Sequence, residues 1–405
     1  MLPFNFLTLD DIDVSGKTVF LRVDINSPLD PVSKRILDAS RIKATLETLK
    51  DLENARVVLG AHQSRPGKYD FTSLELHARV LQMYLGAKVT YVGDVMGEEA
   101  VTAIEALRPG GVLVLDNLRS IPEENVQASP AKHIETEFVK TLAPHFDLVV
   151  NDAFAAAHRS QPSLVGFAEV MPMAAGRLME SELKAMDQVL VDPDRPCVFV
   201  LGGVKVEDRL PVIKRVLGEG IADRVMVGGL VRETFHMAEK RPQEEVEALP
   251  IAERVLVEEA KKLLEDYKDQ IEIPIDVALD VGGERVEIHA DSVMNERNIF
   301  DIGLNTMASF CDLIKRAETV VAEGPMGMFE RRNFNTGTKE ILRAMAECEG
   351  FTLVGGGHLG VLVAMMDLGS QMSHVSTGGG AMLNLLAGSL MPIVESLERS
   401  KQRYG

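Results

Sequence analysis

Along the chain, apolar runs of a few residues break off into polar, charged or glycine residues, and longer stretches with helical spacing separate them. In the first half, residues 18–23 (TVFLRV) run into Asp24 and Asn26, and residues 56–59 (RVVL) lead through Gly60 to His62 and Arg65. Residues 112–115 (VLVL) run into Asp116, Asn117 and Arg119, and residues 148–150 (LVV) into Asn151 and Asp152, with His158 and Arg159 close behind. Short β-branched runs of this kind read as strands buried on both faces. Between them, residues 40–54 (SRIKATLETLKDLEN) place Ile42, Leu46 and Leu49 at helical spacing. Strands alternating with helices predict an α/β fold with a parallel, doubly wound sheet, whose ligand crevice lies beyond the carboxyl ends of the strands. That edge collects His62, Arg65, Arg119 and Arg159, with Arg41 opening the first helix. Arginine forks match phosphate and carboxylate oxygens bidentately, so this half predicts a cradle for a small, multiply charged acid.

The second half repeats the alternation with glycines at its strand ends. Residues 197–201 (CVFVL) meet Gly202 and Gly203, then Lys205 and Arg209, four apart and so on one helical face. Residues 224–227 meet Gly228 and Gly229, and residues 319–322 meet Glu323, Gly324, Pro325 and Gly327. Residues 351–354 meet Gly355, Gly356 and Gly357, and residues 374–377 meet Gly378, Gly379 and Gly380. Backbone amides at helix N-termini attract phosphates, and missing side chains leave room for a flat base. A nucleotide site is expected here. The GxGxxG at 355–360 carries little weight for a dinucleotide, because the nearest acid, Asp367, lies too close to reach a ribose. No GxxxxGK[ST] loop and no GxSxG elbow occurs. Between the halves, residues 172–191 place Met179, Leu183, Met186 and Leu190 at helical spacing, and VDPDRP follows as a boundary. Residues 240–270 read as charge-rich, solvated helix.

Composition narrows the partners. At 405 residues, two domains are expected. A net charge of −18 argues against nucleic acid and anionic membrane, so any anion site is a local basic concentration. Three cysteines without CxxC spacing fit a reducing compartment. The start, MLPFNFLTLDDID, lacks the cationic segment of a signal peptide, and no apolar run approaches the roughly 18 residues of a membrane span. A cytoplasmic protein is expected.

LRVDINSP, AH-x-x-RPG, DNLR, VNDAFAAAHR, LGGVKVEDR, EGPMGMFE, the triple glycine at 355 and HVSTGGGAMLNLL occur in the order found in phosphoglycerate kinases. From about residue 8 to residue 397 the chain resembles that family. The resemblance implies two Rossmann-like doubly wound domains joined by a helix hinge. Residues 1–172 would bind 3-phosphoglycerate or 1,3-bisphosphoglycerate, 173–191 would connect, and 192–380 would bind ADP or ATP with Mg²⁺. Residues 381–405 would return towards the first domain. Motif by motif, it gives the phosphoglycerate site Asp24, Asn26, Arg41, His62, Arg65, Arg119 and Arg159. For the nucleotide it gives Gly202, Gly203, Lys205, Arg209, Gly228, Gly229, Pro325, Glu330, Gly355, Gly356, Gly357, His358 and Thr377, with the glycines at 378–380. Glu330 would accept the ribose hydroxyls.

Three positions depart from the family's usual residues: Arg209 where Lys is usual, Glu323 where Asn is usual, and His358 where the metal-binding Asp is usual. Imidazole replaces a carboxylate poorly on Mg²⁺. The ion is therefore expected on nucleotide phosphates and water, with Glu323 a possible ligand and His358 none. With the lack of Trp, these departures suggest a divergent, archaeal-type branch. The implied chemistry is direct in-line phosphoryl transfer after domain closure, with Arg41, Lys205, Arg209 and amides near Gly356, Gly357 and Gly379 neutralising charge. Two other readings stay open at this point: a hinged, non-catalytic binder of phosphorylated acids, and a dinucleotide-dependent dehydrogenase.

Overall fold

The apolar runs form strands in the computed structural model, which describes residues 3–86, 89–293 and 299–405. The first six strands are β1 (Thr18–Val23), β2 (Arg56–Gly60), β3 (Val89–Tyr91), β4 (Val112–Val114), β5 (Leu148–Asp152) and β6 (Met173–Ala175). They make one parallel sheet in the order β3-β4-β2-β1-β5-β6. Next come β7 (Cys197–Leu201), β8 (Arg224–Val227), β9 (Ile271–Glu272), β10 (Asp276–Val281), β11 (Glu284–His289) and β12 (Ile299–Ile302). The last are β13 (Thr319–Glu323), β14 (Phe351–Gly355) and β15 (His374–Val375). A second parallel sheet runs β15-β14-β13-β7-β8-β9, and β11-β10-β12 form a small antiparallel one. The fold is therefore α/β with two six-stranded parallel sheets.

Two compact units result: Pro3–Lys184 with Leu390–Gly405, and Ala185–Ser389. The divisions fall at 184/185, inside the helix Arg177–Leu190, and at 389/390 rather than at 380/381. Residues 379–386 form a helix packed on the helix Val206–Gly218, where Arg215 Nη1 donates to the Leu385 carbonyl at 2.6 Å. The helix Pro392–Tyr404 instead packs on β6, where the Met173 amide donates to Ser400 Oγ at 2.7 Å.

The helix expected from residue 172 is split. Met173–Ala175 adds to β5 as an edge strand, and the helix starts only at Arg177. Asp152, at the end of β5, explains the break: its carboxylate accepts the Met179 amide at 3.0 Å and the Thr48 hydroxyl at 2.7 Å. A methyl on Gly176 would lie 2.4 Å from that carboxylate, so glycine is required there. The stretch 40–54 is likewise two short helices, Ser40–Ala44 and Leu46–Asp51, separated by buried Thr45.

Strand alternation sets up the first unit's chemistry. On β1, Val19, Leu21 and Val23 join a core with Leu59, Val114 and Val150. Phe20 points to the other face and stacks at 5.2 Å on Phe146. Arg22 follows on that face, fully buried. In the second unit, Val198, Val200, Val320 and Val354 pack with Met307, Phe310 and Leu342 from the helices Leu304–Lys315 and Thr336–Ala346. Among the described residues no helix is long and apolar enough to cross a membrane.

Candidate active-site residues

In the first unit, Ser27, Gln63 and Asn117 lace the loops after β1, β2 and β4 together. The Ser27 amide donates to Gln63 Oε1 and Gln63 Nε2 donates back to the Ser27 carbonyl, both at 2.9 Å. Asn117 Nδ2 donates to the Gln63 carbonyl at 2.8 Å. Asn26 Oδ1 accepts the Ser64 amide at 2.9 Å, fixing the turn that carries Arg65. Nearby, Asp24 pairs with Arg41 and accepts the Asn26 amide at 3.0 Å. Burial works against ionising Asp24, but Arg41 and the Asn26 amide outweigh it and hold its carboxyl below the usual range.

Cations dominate the rest of this edge. Arg22 Nη2 donates to His62 Nδ1 at 3.1 Å, and Arg22 Nε donates to Ser163 Oγ at 2.8 Å. Glu124, also buried, faces Arg22 at 3.9 Å and accepts the Ser163 amide and hydroxyl. Burial, reinforced by Arg22, pulls the His62 imidazole well below its ordinary 6.5, so it is neutral. Arg119 Nη1 donates to the Ser64 carbonyl at 3.1 Å, while its Nε is buried without a hydrogen-bond partner. Burial lowers Arg119 to about 10, and Arg159, Arg22 and Arg65 add to the effect against the opposing pull of Glu124. Arg159 is half-buried, its Nε donating to His158 Nε2 at 3.3 Å; Arg65 is exposed. Such a concentration of like charge, with only Glu124 and the Arg41-paired Asp24 buried against it, is unfavourable when empty and suits a multiply charged anion. Arg22 and Glu124 were missed in the sequence. An arginine inside an otherwise apolar strand was the available signal.

In the second unit, the glycines sort into two kinds. Those following β7, β8 and β13 interlock: a methyl on Gly229 would lie 2.6 Å from the Gly203 carbonyl, and one on Gly324 2.4 Å from the Gly202 carbonyl. Their amides are spent on one another's loops, Gly202 on the Glu323 carbonyl at 2.9 Å and Gly203 on the Pro325 carbonyl at 2.8 Å. The Gly228 and Gly229 amides likewise go to the Leu201 and Met326 carbonyls, both at 3.0 Å. These four amides are therefore packing groups, not the phosphate donors expected of them. Gly355 and Gly356 continue the platform, with Gly379 laid over Gly356 so closely that a methyl would sit 2.5 Å from its Cα. Gly357 and Gly380 are different, because a methyl at either meets only open space. Both lie at the starts of helices, Gly357–Met365 and Gly379–Leu386, whose first amides lack intrahelical partners.

Lys205 is exposed at the start of the helix Val206–Gly218. Arg209 is not on its face. It turns inward, 6 % exposed, and its Nε donates to the Gly202 carbonyl at 3.1 Å while Nη2 pairs with Glu323. Two of the three departures from the family pattern are thus bonded to each other. Burial pushes the Glu323 carboxyl up to about 7 despite Arg209. His358, exposed, packs its ring on Phe329 with centroids 5.0 Å apart. Glu330 is exposed in the turn after Phe329, and Thr377 sits just beyond β15. Among the described residues no three His, Cys, Asp or Glu side chains gather where they could hold a metal. Engaged by Arg209, Glu323 is not available for one.

Comparison with known proteins extends over this whole frame. The family model described as Phosphoglycerate kinase matches residues 9–389. A phosphoglycerate kinase of Methanococcus maripaludis is 46% identical, covering 98% of this chain and 99% of its own. One from Saccharolobus solfataricus is 44% identical, covering 98% of each. The crystal structure of phosphoglycerate kinase from Pyrococcus horikoshii OT3 superposes with a TM-score of 0.88 at 40% identity, covering 98% of this chain and 100% of that one. Neither the non-catalytic binder nor the dehydrogenase is favoured by these matches. With sequence and structure agreeing from end to end, the chain belongs to the phosphoglycerate kinase family.

Proposed function

We propose that the chain transfers a phosphoryl group reversibly between 1,3-bisphosphoglycerate and ADP, giving 3-phosphoglycerate and ATP, in line and without a covalent enzyme intermediate. The observation carrying this reading is the arginine edge of the first unit, where Arg119 is lowered to about 10 among Arg22, Arg65 and Arg159. Arg65, Arg119 and Arg159 hold the non-transferring phosphate, which supplies the missing counter-charge. Asp24, Asn26 and neutral His62 orient the glycerate hydroxyl and carboxylate. In the second unit the nucleotide lies over Gly357 and Gly380, its phosphates toward the helix amides there. Glu330 and Thr377 flank it. Mg²⁺ comes with the nucleotide as part of the substrate, and among the described residues no three His, Cys, Asp or Glu side chains gather to hold it. Phosphoryl transfer demands little acid–base work, so positioning and charge neutralisation dominate. Arg41 in the first unit and Lys205 in the second both reach solvent, and each offers positive charge to the phosphate of its own unit's ligand.

A coupled assay with 3-phosphoglycerate and ATP, with and without Mg²⁺, tests the reaction. Activity that depends on both substrates and on the ion is expected. Arg65→Ala and Arg159→Ala should each weaken 3-phosphoglycerate binding about 10- to 150-fold and leave ADP binding unchanged. Equal losses for both ligands refute the assignment of the two sites.

A further inference from the structure

We infer that Arg209 and Glu323 are positioning residues for the nucleotide end of the second sheet, acting as one buried brace rather than as groups that touch the transferring phosphoryl. Arg209 lies on the first turn of the helix Val206–Gly218, and its guanidinium is committed on every side. Nε donates to the Gly202 carbonyl at 3.1 Å, Nη1 to the Lys205 carbonyl at 3.4 Å, and Nη2 to the Glu323 carboxylate. One side chain thus ties both ends of the turn from Gly202 to Lys205. Glu323 closes β13 beside Leu201 of β7, and only 5 % of it is exposed. Its other oxygen lies under the next turn, where a methyl on Gly356 would come within 2.6 Å of Oε1. The pair therefore spans the ends of β7, β13 and β14.

Burying two charges is costly, and an ion pair of this kind is retained where it fixes one geometry among several. Here the geometry fixed is that of the backbone from which Lys205 projects, together with the height of the Gly356 turn. The Arg209–Glu323 bond joins the two: it holds the guanidinium against both carbonyls and the carboxylate under Gly356, so removing either partner loosens both turns. A group acting directly on phosphate has no such dependence on Glu323.

This inference rests on the proposal that the glycine edge holds the nucleotide. Full-length Glu323→Gln, Arg209→Met and the double variant are titrated with ADP by calorimetry and assayed for turnover, with Gly357→Leu as a control that fills the open space over the edge. Each single variant should weaken ADP about tenfold, the double no more than the worse single, with 3-phosphoglycerate affinity unchanged. Turnover should fall by similar factors in both singles. A loss of turnover beyond about a hundredfold in Arg209→Met, with Glu323→Gln at wild-type level, overturns the brace and makes Arg209 a phosphate contact. So do additive effects in the double, or variants altered only in melting temperature. Should Arg209→Met not fold, Arg209→Lys carries the test, because it can still meet Glu323 but cannot fork to both carbonyls. If Gly357→Leu also leaves ADP binding intact, the nucleotide edge itself is misplaced; if it weakens ADP while Glu323→Gln does not, only the brace fails.

Discussion

Arg119→Met sets binding against folding within one side chain. Methionine keeps the apolar stem but removes the guanidinium. On the folding side, the change removes the hydrogen bond to the Ser64 carbonyl at 3.1 Å, a loss of about 1 kcal/mol. It also removes a buried Nε that has no hydrogen-bond partner, whose desolvation costs about 1–3 kcal/mol. The repulsion from Arg159, Arg22 and Arg65 goes too, with only Glu124 losing an attraction. The balance leaves the empty protein as stable as before or more stable by up to about 2 kcal/mol, a melting temperature unchanged or higher by up to roughly 8 °C. On the binding side, one charge-assisted contact to phosphate disappears, about 1.5–3 kcal/mol or 10- to 150-fold in affinity. Calorimetric titration with 3-phosphoglycerate and with ADP, beside scanning calorimetry of the empty protein, separates the two effects. Unchanged 3-phosphoglycerate affinity with a melting temperature several degrees lower would show that Arg119 is a structural residue and refute the electrostatic reading.

Asp152 is fully buried and its carboxyl is raised to about 6, so the folded state holds its proton more tightly than the unfolded chain. Stability from this group is therefore full below about pH 4 and is lost as the pH climbs through 6; Asp152→Asn should flatten that loss, on the order of 3 kcal/mol, in denaturant melts across the window. Because His62 is neutral near pH 7, the Michaelis constant for 3-phosphoglycerate should show no inflection near 6.5, and one that vanished in His62→Gln would contradict its burial. Gly357→Leu should raise the Michaelis constant for nucleotide at least tenfold while the melting temperature stays within a few degrees, since the new side chain meets open space; unchanged nucleotide kinetics would place the ligand elsewhere.

What the sequence made legible follows the period of its side chains. Runs such as TVFLRV and CVFVL are apolar on both faces because parallel strands are covered on both, and they coincide with β1 and β7. The basic residues ending the first set of strands were readable for the same reason: a strand's carboxyl end is where a doubly wound sheet exposes its loops. The antiparallel β10–β12 sheet was not read, since Glu284–His289 alternates charged and apolar residues and half of it faces solvent. Arg22 escaped because a single strand period does not say whether a buried charge has a partner across space. Glu124, its partner, lies 102 positions away in the short 3-10 helix Pro122–Asn125, at 3.9 Å. Arg209 was expected outward beside Lys205 from the four-residue spacing, yet Lys205 precedes the helix and only Arg209 lies within it, so the two do not share a face.

The helix Pro392–Tyr404 has a bearing on how the chain is made. Ile393 and Leu397 are fully buried in the first unit, and Ser400 takes the amide of its edge strand. Those residues leave the ribosome only after all of Ala185–Ser389 has been translated. The first unit thus waits, with β6 lacking this helix, through the synthesis of the second, and nascent chains halted between residues 190 and 389 carry an apolar edge open to pairing with other chains.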